Sequence, residues 1–229
     1  MGDQESADSP DGAATTANAA LTDAEVLDAA LDAFAEEGFA GTSVRSLARS
    51  IGVHHNHIPQ RFGSKERLWY AAVDHGFRVI RRDLVGLTRV EFSDDLALLR
   101  AGIVRYVEIN AERPAMLRII NQEAVLGGER LEYLFTEFIE PVRDFGGGLL
   151  RRLEAEGKVR TDSAGLLYFF MTNGIAGPIV FPGLAARLGV AVDGQDPEAV
   201  HAHAEAAVGL LFDGLAVRDG TAPPERDEL

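Results

Sequence analysis

The sequence contains no cysteine and no long apolar run, and it has few positive charges. Without cysteine, disulfides and thiolate metal sites are excluded, and redox chemistry gives no information about the compartment. No uninterrupted apolar stretch approaches the ~18 residues of a membrane-spanning candidate. The N-terminus is acidic and lacks the basic-then-apolar order of a secretory signal. We therefore expect a soluble, cytoplasmic protein with no membrane partner.

Positive charge is also unevenly distributed along the chain. Lys and Arg number 22 against 36 Asp and Glu, and the formal net charge is -14. Such acidity argues against a general attraction of the whole chain to nucleic acid. Residues 40–70 nevertheless carry five basic residues and a single acid, whereas residues 1–20 carry four acids and no base. A local basic surplus of this kind is what a nucleic-acid docking face requires.

Apolar residues recur at helical spacing along most of the chain, and no segment shows convincing alternation with a period of two. This pattern predicts an all-α protein. The 229 residues suffice for a sizeable core. The spacing and the end signals predict a helix starting after Ser64 and helices over 23–37, 54–60, 94–111, 114–126, 129–156, 162–176, 182–188 and 197–215.

The N-terminal helices have recognisable end signals. Thr22 and Glu25 have the spacing of a capping box. Thr42 or Ser43 can cap a second helix, which Gly52 ends. Two short helices joined by a tight glycine turn predict a helix-turn-helix arrangement.

The segment "HHNHIPQR", residues 54–61, allows several interpretations. A zinc site needs three or four convergent ligands, and only Glu66 lies near enough in sequence to add to His54 and His57. Catalysis is disfavoured because there is no nucleophile beside a base and no glycine-rich phosphate cradle. A solvated surface helix is the simplest alternative. We predict no metal, no catalytic residue and no cofactor.

A fourth interpretation uses all of these residue types together. The second helix of a helix-turn-helix enters the major groove, where Asn, Gln, Arg and His can pair with base edges. Val53, Ile58 and Phe62 would anchor it. The predicted base contacts are His54, His55, Asn56, His57 and Gln60. The predicted phosphate contacts are Thr42, Arg45, Arg61, Ser64 and Lys65.

The stretch "LDAALDAFAEEGFAGTSVRSLARSIGV", followed by "RFGSKERLWYAAV", resembles the tetracycline-repressor (TetR)/AcrR family of transcriptional regulators over about residues 22–75. Two positions depart from the family pattern. His54 stands where the family usually has Ser or Thr, and Pro59 where it usually has Tyr. Because proline disfavours helical geometry at the preceding residue, we predict a short or distorted third helix that ends at Pro59.

The resemblance implies an N-terminal three-helix DNA-binding head and a larger helical body that binds a small molecule and dimerises. The implied function is that of a ligand-responsive regulator, a repressor that binds a near-palindromic DNA operator as a homodimer and is released by a small-molecule effector. On this basis we assign a disordered acidic arm to 1–20, the head to 21–68, the body to 69–218 and a disordered tail to 219–229.

Polar side chains on apolar helix faces suggest where the effector would bind in the body. Each of the two amides concerned, Asn121 and Asn173, could instead bond a neighbouring backbone. Pockets of this kind are mostly apolar with few polar anchors. The predicted pocket residues are Phe77, Tyr106, Met116, Ile120, Asn121, Ala124, Tyr133, Phe170, Met171 and Asn173.

The last long helix carries an apolar stripe that could form a dimer interface or a plain core. The predicted interface residues are Val200, Ala204, Ala207, Val208, Leu211 and Leu215. Three consecutive glycines, 146–148, indicate either a helix break or close packing of another backbone. The rival class is an all-helical enzyme, or an interaction module without DNA activity. We expect no enzyme because the body shows only scattered amides and Glu123.

Overall fold

The computed structural model describes residues 21–87, 89–159 and 164–215. These residues form twelve α-helices and no β-strand, which confirms the all-α prediction. The predicted arm 1–20 and tail 219–229 lie outside the described residues. The helices are α1 Asp23–Gly41, α2 Val44–Ser50, α3 His57–Phe62, α4 Lys65–Leu87, α5 Asp95–Glu112, α6 Pro114–Leu126, α7 Glu129–Leu134, α8 Glu140–Ala155, α9 Ala164–Phe169, α10 Gly177–Val180, α11 Pro182–Leu188 and α12 Pro197–Leu215.

Two π-helical segments extend this set. Phe135–Ile139 joins α7 to α8, so that 129–155 is one continuous helical run, close to the predicted 129–156. Phe170–Ile175 follows α9 directly. A π-turn contains more residues than an α-turn, so each segment shifts the helical face on which later side chains lie.

The predicted N-terminal caps form. The Thr22 hydroxyl accepts from the Glu25 backbone N–H at 3.3 Å, and the Glu25 carboxylate accepts from the Thr22 N–H at 2.7 Å. Helical geometry breaks at Gly38, which has φ +71°, and one further turn reaches Gly41. Ser43 caps α2 by accepting from the Ser46 N–H at 3.3 Å.

The third helix differs from its predicted span of 54–60. It begins at His57 and ends at Phe62, with Gly63 at φ +81° after it. Pro59 therefore lies in the first turn, where backbone N–H groups have no partner within the helix and a missing N–H costs little. The helix is short, as predicted, but the prediction that Pro59 ends it was wrong.

The head, residues 21–68, shares a hydrophobic core with the body. Phe34, Leu47, Ile58 and Trp69 belong to the same buried cluster as Met116. The helix α4 runs without interruption across the predicted boundary at residue 68. Head and body are therefore packed against each other rather than joined by a linker.

The body, residues 69–215, has a second core in which α5 packs against α8 and α12. The three glycines lie inside an unbroken α8. A Cβ added at Gly147 would lie 3.2 Å from the Ala164 Cβ, whereas one added at Gly146 would meet nothing within 4 Å. Close packing against α9 accounts for Gly147, and a helix break is excluded.

Candidate nucleic-acid interface and body cavity

The predicted base-contacting residues form one polar edge on the head, which we define as His54, His55, Asn56, His57 and Gln60. All except the half-buried His57 are exposed. They are held from beneath by Ile58, which is 1% exposed, and by the partly buried Val53 and Phe62. The predicted apolar anchors are thus confirmed, and the polar edge faces outward.

The start of the polar edge is an ordered turn rather than the first turn of a helix. The Asn56 N–H donates to His54 Nδ1 at 3.3 Å, and the His57 N–H donates to the His54 carbonyl at 2.8 Å. The His54 and His55 rings lie 4.1 Å apart. These bonds use backbone groups and His54 Nδ1, and they leave the side-chain amide of Asn56 available to donate and accept at a base edge.

Two of the predicted phosphate contacts are occupied within the head. Thr42 is 3% exposed, and its hydroxyl donates to the Gly38 carbonyl at 2.7 Å, so it stabilises the end of α1. Arg61 forms an ion pair with Asp23 and donates to the Leu21 carbonyl at 3.3 Å. Thr42 is thus not free to reach a phosphate in this conformation, whereas Arg61 is exposed and its phosphate contact stays a prediction.

Of the other predicted phosphate contacts, Arg45 and Ser64 are exposed and Lys65 is half-buried. Ser64 caps α4 by accepting from the Arg67 N–H at 3.1 Å. Lys65 donates to the Ala40 carbonyl at 3.2 Å and lies over the Phe39 ring. Arg45 is exposed and has no ion-pair partner in the described part of the chain.

Two further cations on the head were missed by sequence reasoning. Arg49 and Arg67 are exposed and, within the described ranges, form no ion pair. Arg49 lies one turn after Arg45 on α2, and that spacing of four was the available signal. Among the described residues no group of histidines and acids could hold a metal ion.

The body contains a cavity of about 600 Å³ that is open to solvent and is lined by α4, α5, α6, α7, α8, α9 and both π-segments. Its wall is mostly apolar, which is typical of small-molecule sites. Six of the predicted pocket residues line it: Phe77, Tyr106, Met116, Ile120, Tyr133 and Met171.

The other four predicted pocket residues do not line the cavity. Ala124, Phe170 and Asn173 are exposed. Asn121 is partly buried outside the cavity, and its amide nitrogen has no partner. Phe170 and Asn173 lie in the second π-segment, where the 3.6-residue period used for the prediction no longer holds.

The inner polar groups of the cavity are neutral. Burial raises the pKa of Tyr106 well above its usual value and that of Tyr168 to about 12. Asn110, missed by the prediction, is 3% exposed and donates to the Tyr106 carbonyl at 2.7 Å. These side chains can exchange hydrogen bonds with a ligand without placing charge inside the cavity.

Side-chain contacts on the cavity wall join α4 to α7 and to the π-segment Phe135–Ile139. Tyr133 donates to Asp74 at 2.5 Å, and the Phe77 and Phe138 rings stack 3.7 Å apart. Burial and this hydrogen bond raise the pKa of Tyr133. The cavity wall is thus tied to α4, the helix that also packs in the head.

A buried ion pair lies where head and body meet. Glu123 is 2% exposed and accepts from Arg130 Nε at 2.8 Å. The Arg130 guanidinium also lies 4.2 Å from the centre of the Phe39 ring of the head. Gln122 adds a direct bond across the junction, from its side-chain amide to the Ala35 carbonyl at 2.7 Å.

The predicted dimer residues lie mostly in the protein's own core. Val200, Ala204 and Val208 are at most 2% exposed, and Ala207 and Leu211 are partly buried against the same cluster. The side chain of Leu215 lies outside the described residues. For Val200, Ala204 and Val208 the prediction is corrected, because this side of the amphipathic helix packs on α5. For Ala207, Leu211 and Leu215 it stays a prediction.

A different set of large apolar side chains is exposed on the C-terminal helices of the described chain. We call it the apolar face, and its residues lie on α9, the following π-segment, α11 and α12, with one between α10 and α11. They are exposed by 45 to 77%: Phe169, Phe170, Phe181, Leu184, Leu188 and Leu210. Exposed apolar residues grouped in this way are typical of protein–protein interfaces.

None of the described helices is long and apolar enough to span a membrane.

Comparisons with known proteins agree with this geometry. Residues 26–72 match the family described as bacterial regulatory proteins, tetR family. The HTH-type transcriptional repressor Rv3405c of Mycobacterium tuberculosis is 44% identical over 52 residues, which are 23% of this chain and 28% of the relative. The chain is thus matched over less than a third of that relative's length. Through this N-terminal region, the chain is similar to the TetR family.

Solved structures extend the similarity of fold to the body. The ketosteroid transcriptional regulator KstR2 of Mycobacterium tuberculosis superimposes with a TM-score of 0.66 at 19% identity, over 85% of this chain and 94% of that one. The TetR-family regulator PfmR from Thermus thermophilus gives 0.59 at 19% identity, over 86% and 99%. The head and the larger helical body together therefore have the TetR-family fold.

Proposed function

We propose that this protein is a DNA-binding transcriptional regulator that acts as a repressor. The observation that carries the proposal is the polar edge, an outward row of hydrogen-bonding side chains fixed on a helix-turn-helix by the buried Ile58. The name of the relative Rv3405c, a transcriptional repressor, favours repression. The polar edge contacts bases in the major groove, and Arg45, Ser64 and Lys65 contact the flanking phosphates.

The protein binds DNA as a homodimer with two heads about one DNA turn apart, ~34–36 Å, on a near-palindrome. The apolar face supports this assembly, since a second copy would bury it. A small molecule in the cavity favours a body shape with a different head spacing. It acts only through its difference in affinity for the two shapes.

Fluorescence anisotropy with bound genomic fragments at increasing salt tests the DNA-binding proposal. Affinity should fall steeply with salt, because cations of the head replace counterions on the phosphates. Arg45→Ala should reduce the slope by about one unit, whereas Arg82→Ala on the body should not. Equal affinity at low and high salt would contradict the proposal.

Sedimentation of the full chain tests the dimer. We expect a dimer that dissociates on Phe169→Asp, because a carboxylate would be placed in an apolar interface. Val125→Asp is the matched control, since Val125 is 87% exposed on α6 and lies outside the apolar face. Dissociation by both variants, or by neither, would remove the apolar face from the proposed assembly.

A further inference from the structure

The cavity is charged only where it meets solvent. Its buried polar groups, Tyr106 and Asn110, are neutral, and its wall is otherwise built from aliphatic and aromatic side chains. The charged side chains that line it are Asp74, Arg78, Arg81, Glu137 and Arg143. A bound molecule would therefore meet an apolar interior and a polar, charged rim.

Two of these rim side chains are cations without a counter-ion. Arg78 and Arg81 lie one turn apart on α4, are exposed, and have no carboxylate within ion-pair distance in the described ranges. The third rim cation is different, because Arg143 is held by Glu140 at 3.0 Å and Asp144 at 2.8 Å. Two unpaired guanidinium groups thus place positive charge at one opening of a chain whose formal net charge is -14.

The acids of the rim do not neutralise this pair. Asp74 accepts the hydrogen bond from Tyr133 at 2.5 Å, and Glu137 belongs to the π-segment on the opposite wall. Neither forms an ion pair with Arg78 or Arg81. Guanidinium groups bind carboxylate and phosphate oxygens through paired, charge-assisted hydrogen bonds. The two unpaired guanidinium groups can thus donate charge-assisted hydrogen bonds to an anionic group at the opening of the cavity.

We propose that the cavity binds an amphipathic anion, with an apolar body inside and one carboxylate or phosphate group held at the rim by Arg78 and Arg81. This inference rests on the proposed function, in which the cavity is the effector site. It goes further by fixing the ligand's chemical class and orientation. The apolar part meets Phe77, Ile103 and Leu150, which line the interior.

A matched series of probes with one hydrocarbon chain tests the proposal on the full-length protein. The probes are dodecanoate, dodecyl phosphate, dodecanol and dodecylammonium, each below its aggregation concentration. Binding is followed by the fluorescence of Trp69, the single tryptophan, whose ring lies 6.5 Å from that of Tyr133. A shift in melting temperature provides a second readout.

We expect the anionic probes to bind roughly tenfold or more tightly than dodecanol, in keeping with hydrogen bonds to charged groups. The double variant Arg78→Gln/Arg81→Gln should lose this preference and retain dodecanol binding. Arg82→Gln is the control, since Arg82 lies on the same helix, is 77% exposed and is absent from the cavity wall. The comparison of dodecanoate with dodecyl phosphate shows whether the site prefers a carboxylate or a phosphate ester.

Gly102→Leu checks that the probes enter the cavity. Gly102 lines it, and an added Cβ there would meet nothing within 4 Å, so a leucine would occupy ligand space. The inference would be overturned if dodecanol bound as tightly as the anionic probes, or if dodecylammonium bound more tightly than they do. It would also be overturned if the double variant kept the preference for anions, or if no probe bound. DNA binding measured without probe is independent of all these outcomes, so a failed inference and a failed proposed function are distinguishable.

Discussion

The head and the body differ in where the apolar residues outside their shared core lie. In the head, the large apolar side chains Phe34, Leu47 and Ile58 are packed and the polar edge faces outward. In the body, many apolar side chains line a cavity of about 600 Å³, and others form the exposed apolar face. A densely packed scaffold holds a contact surface in one shape, whereas a cavity leaves room for a second component. The comparison separates a polar recognition surface on a packed scaffold from a region with space for a ligand.

The largest effect is expected at the junction between these two regions. Arg130→Ala removes the partner of the buried Glu123, and we expect it to lower the free energy of unfolding by about 3 kcal/mol, since the carboxylate is left uncompensated. Urea denaturation followed by Trp69 fluorescence measures this. Arg143→Ala, which breaks a surface pair, should change stability little. Similar effects of the two variants would show that the junction pair is no more important than a surface pair.

The second prediction concerns the head alone. Asn56→Ala should reduce the affinity for the operator by about 1–3 kcal/mol and leave binding to random DNA nearly unchanged, because a base contact carries sequence preference. Anisotropy on both kinds of DNA measures the difference. Asn173→Ala, at an exposed amide of the body, serves as the control. Equal losses on specific and random DNA would remove Asn56 from the base-contacting set.

A third prediction compares two helical glycines, one with free space around its Cα and one packed against neighbouring side chains. Gly102→Ala on the cavity wall should stabilise the protein by about 0.5–1 kcal/mol, because alanine favours the helix and the added methyl meets no neighbour. Gly76→Ala should lack this gain, since its Cβ would lie 2.6 Å from Met116 Sδ. Thermal unfolding compares the two. Equal stabilisation would mean that the two sites do not differ in packing.

The smallest expected effect is on the pKa of a histidine in the body. A hydrogen bond from the His201 ring to the Glu108 carboxylate, at 2.8 Å, raises the pKa of His201 above its usual value. A raised pKa stabilises the fold below the unfolded-state pKa of histidine, and that contribution is lost as pH rises through the folded-state pKa. NMR titration of the His201 ring should show the shift in the native protein and its absence in Glu108→Gln. An unshifted pKa in the native protein would contradict the pairing.

Local signals allowed much of the fold to be predicted. The capping box of Thr22 and Glu25, the Ser43 cap and the anchor Ile58 depend on neighbours a few residues away or on a simple apolar period. Helix ends were less predictable. The proline in "HIPQRF" was interpreted as a stop although it occupies the first turn, because sequence alone does not show where α3 begins.

Features that depend on distant parts of the chain were not predictable. Arg61 is paired with Asp23 of α1, and the stripe of α12 packs on α5 of the same chain. An apolar stripe indicates that one face of a helix is buried, but it does not indicate which element packs against that face. Likewise, Asn173 was assigned to the pocket by a 3.6-residue period that its π-segment interrupts. Tertiary structure determined the first two results, and a local change of helix type determined the third.

Selection of genomic fragments by the full-length protein, followed by footprinting of the bound sites, tests the central claim most directly. We predict a shared, nearly palindromic sequence with two protected half-sites about one DNA turn apart. In the same experiment, Asn56→Ala should broaden the recovered sequences. Recovery of fragments with no common sequence, or of none above background, would contradict the claim that the polar edge recognises DNA.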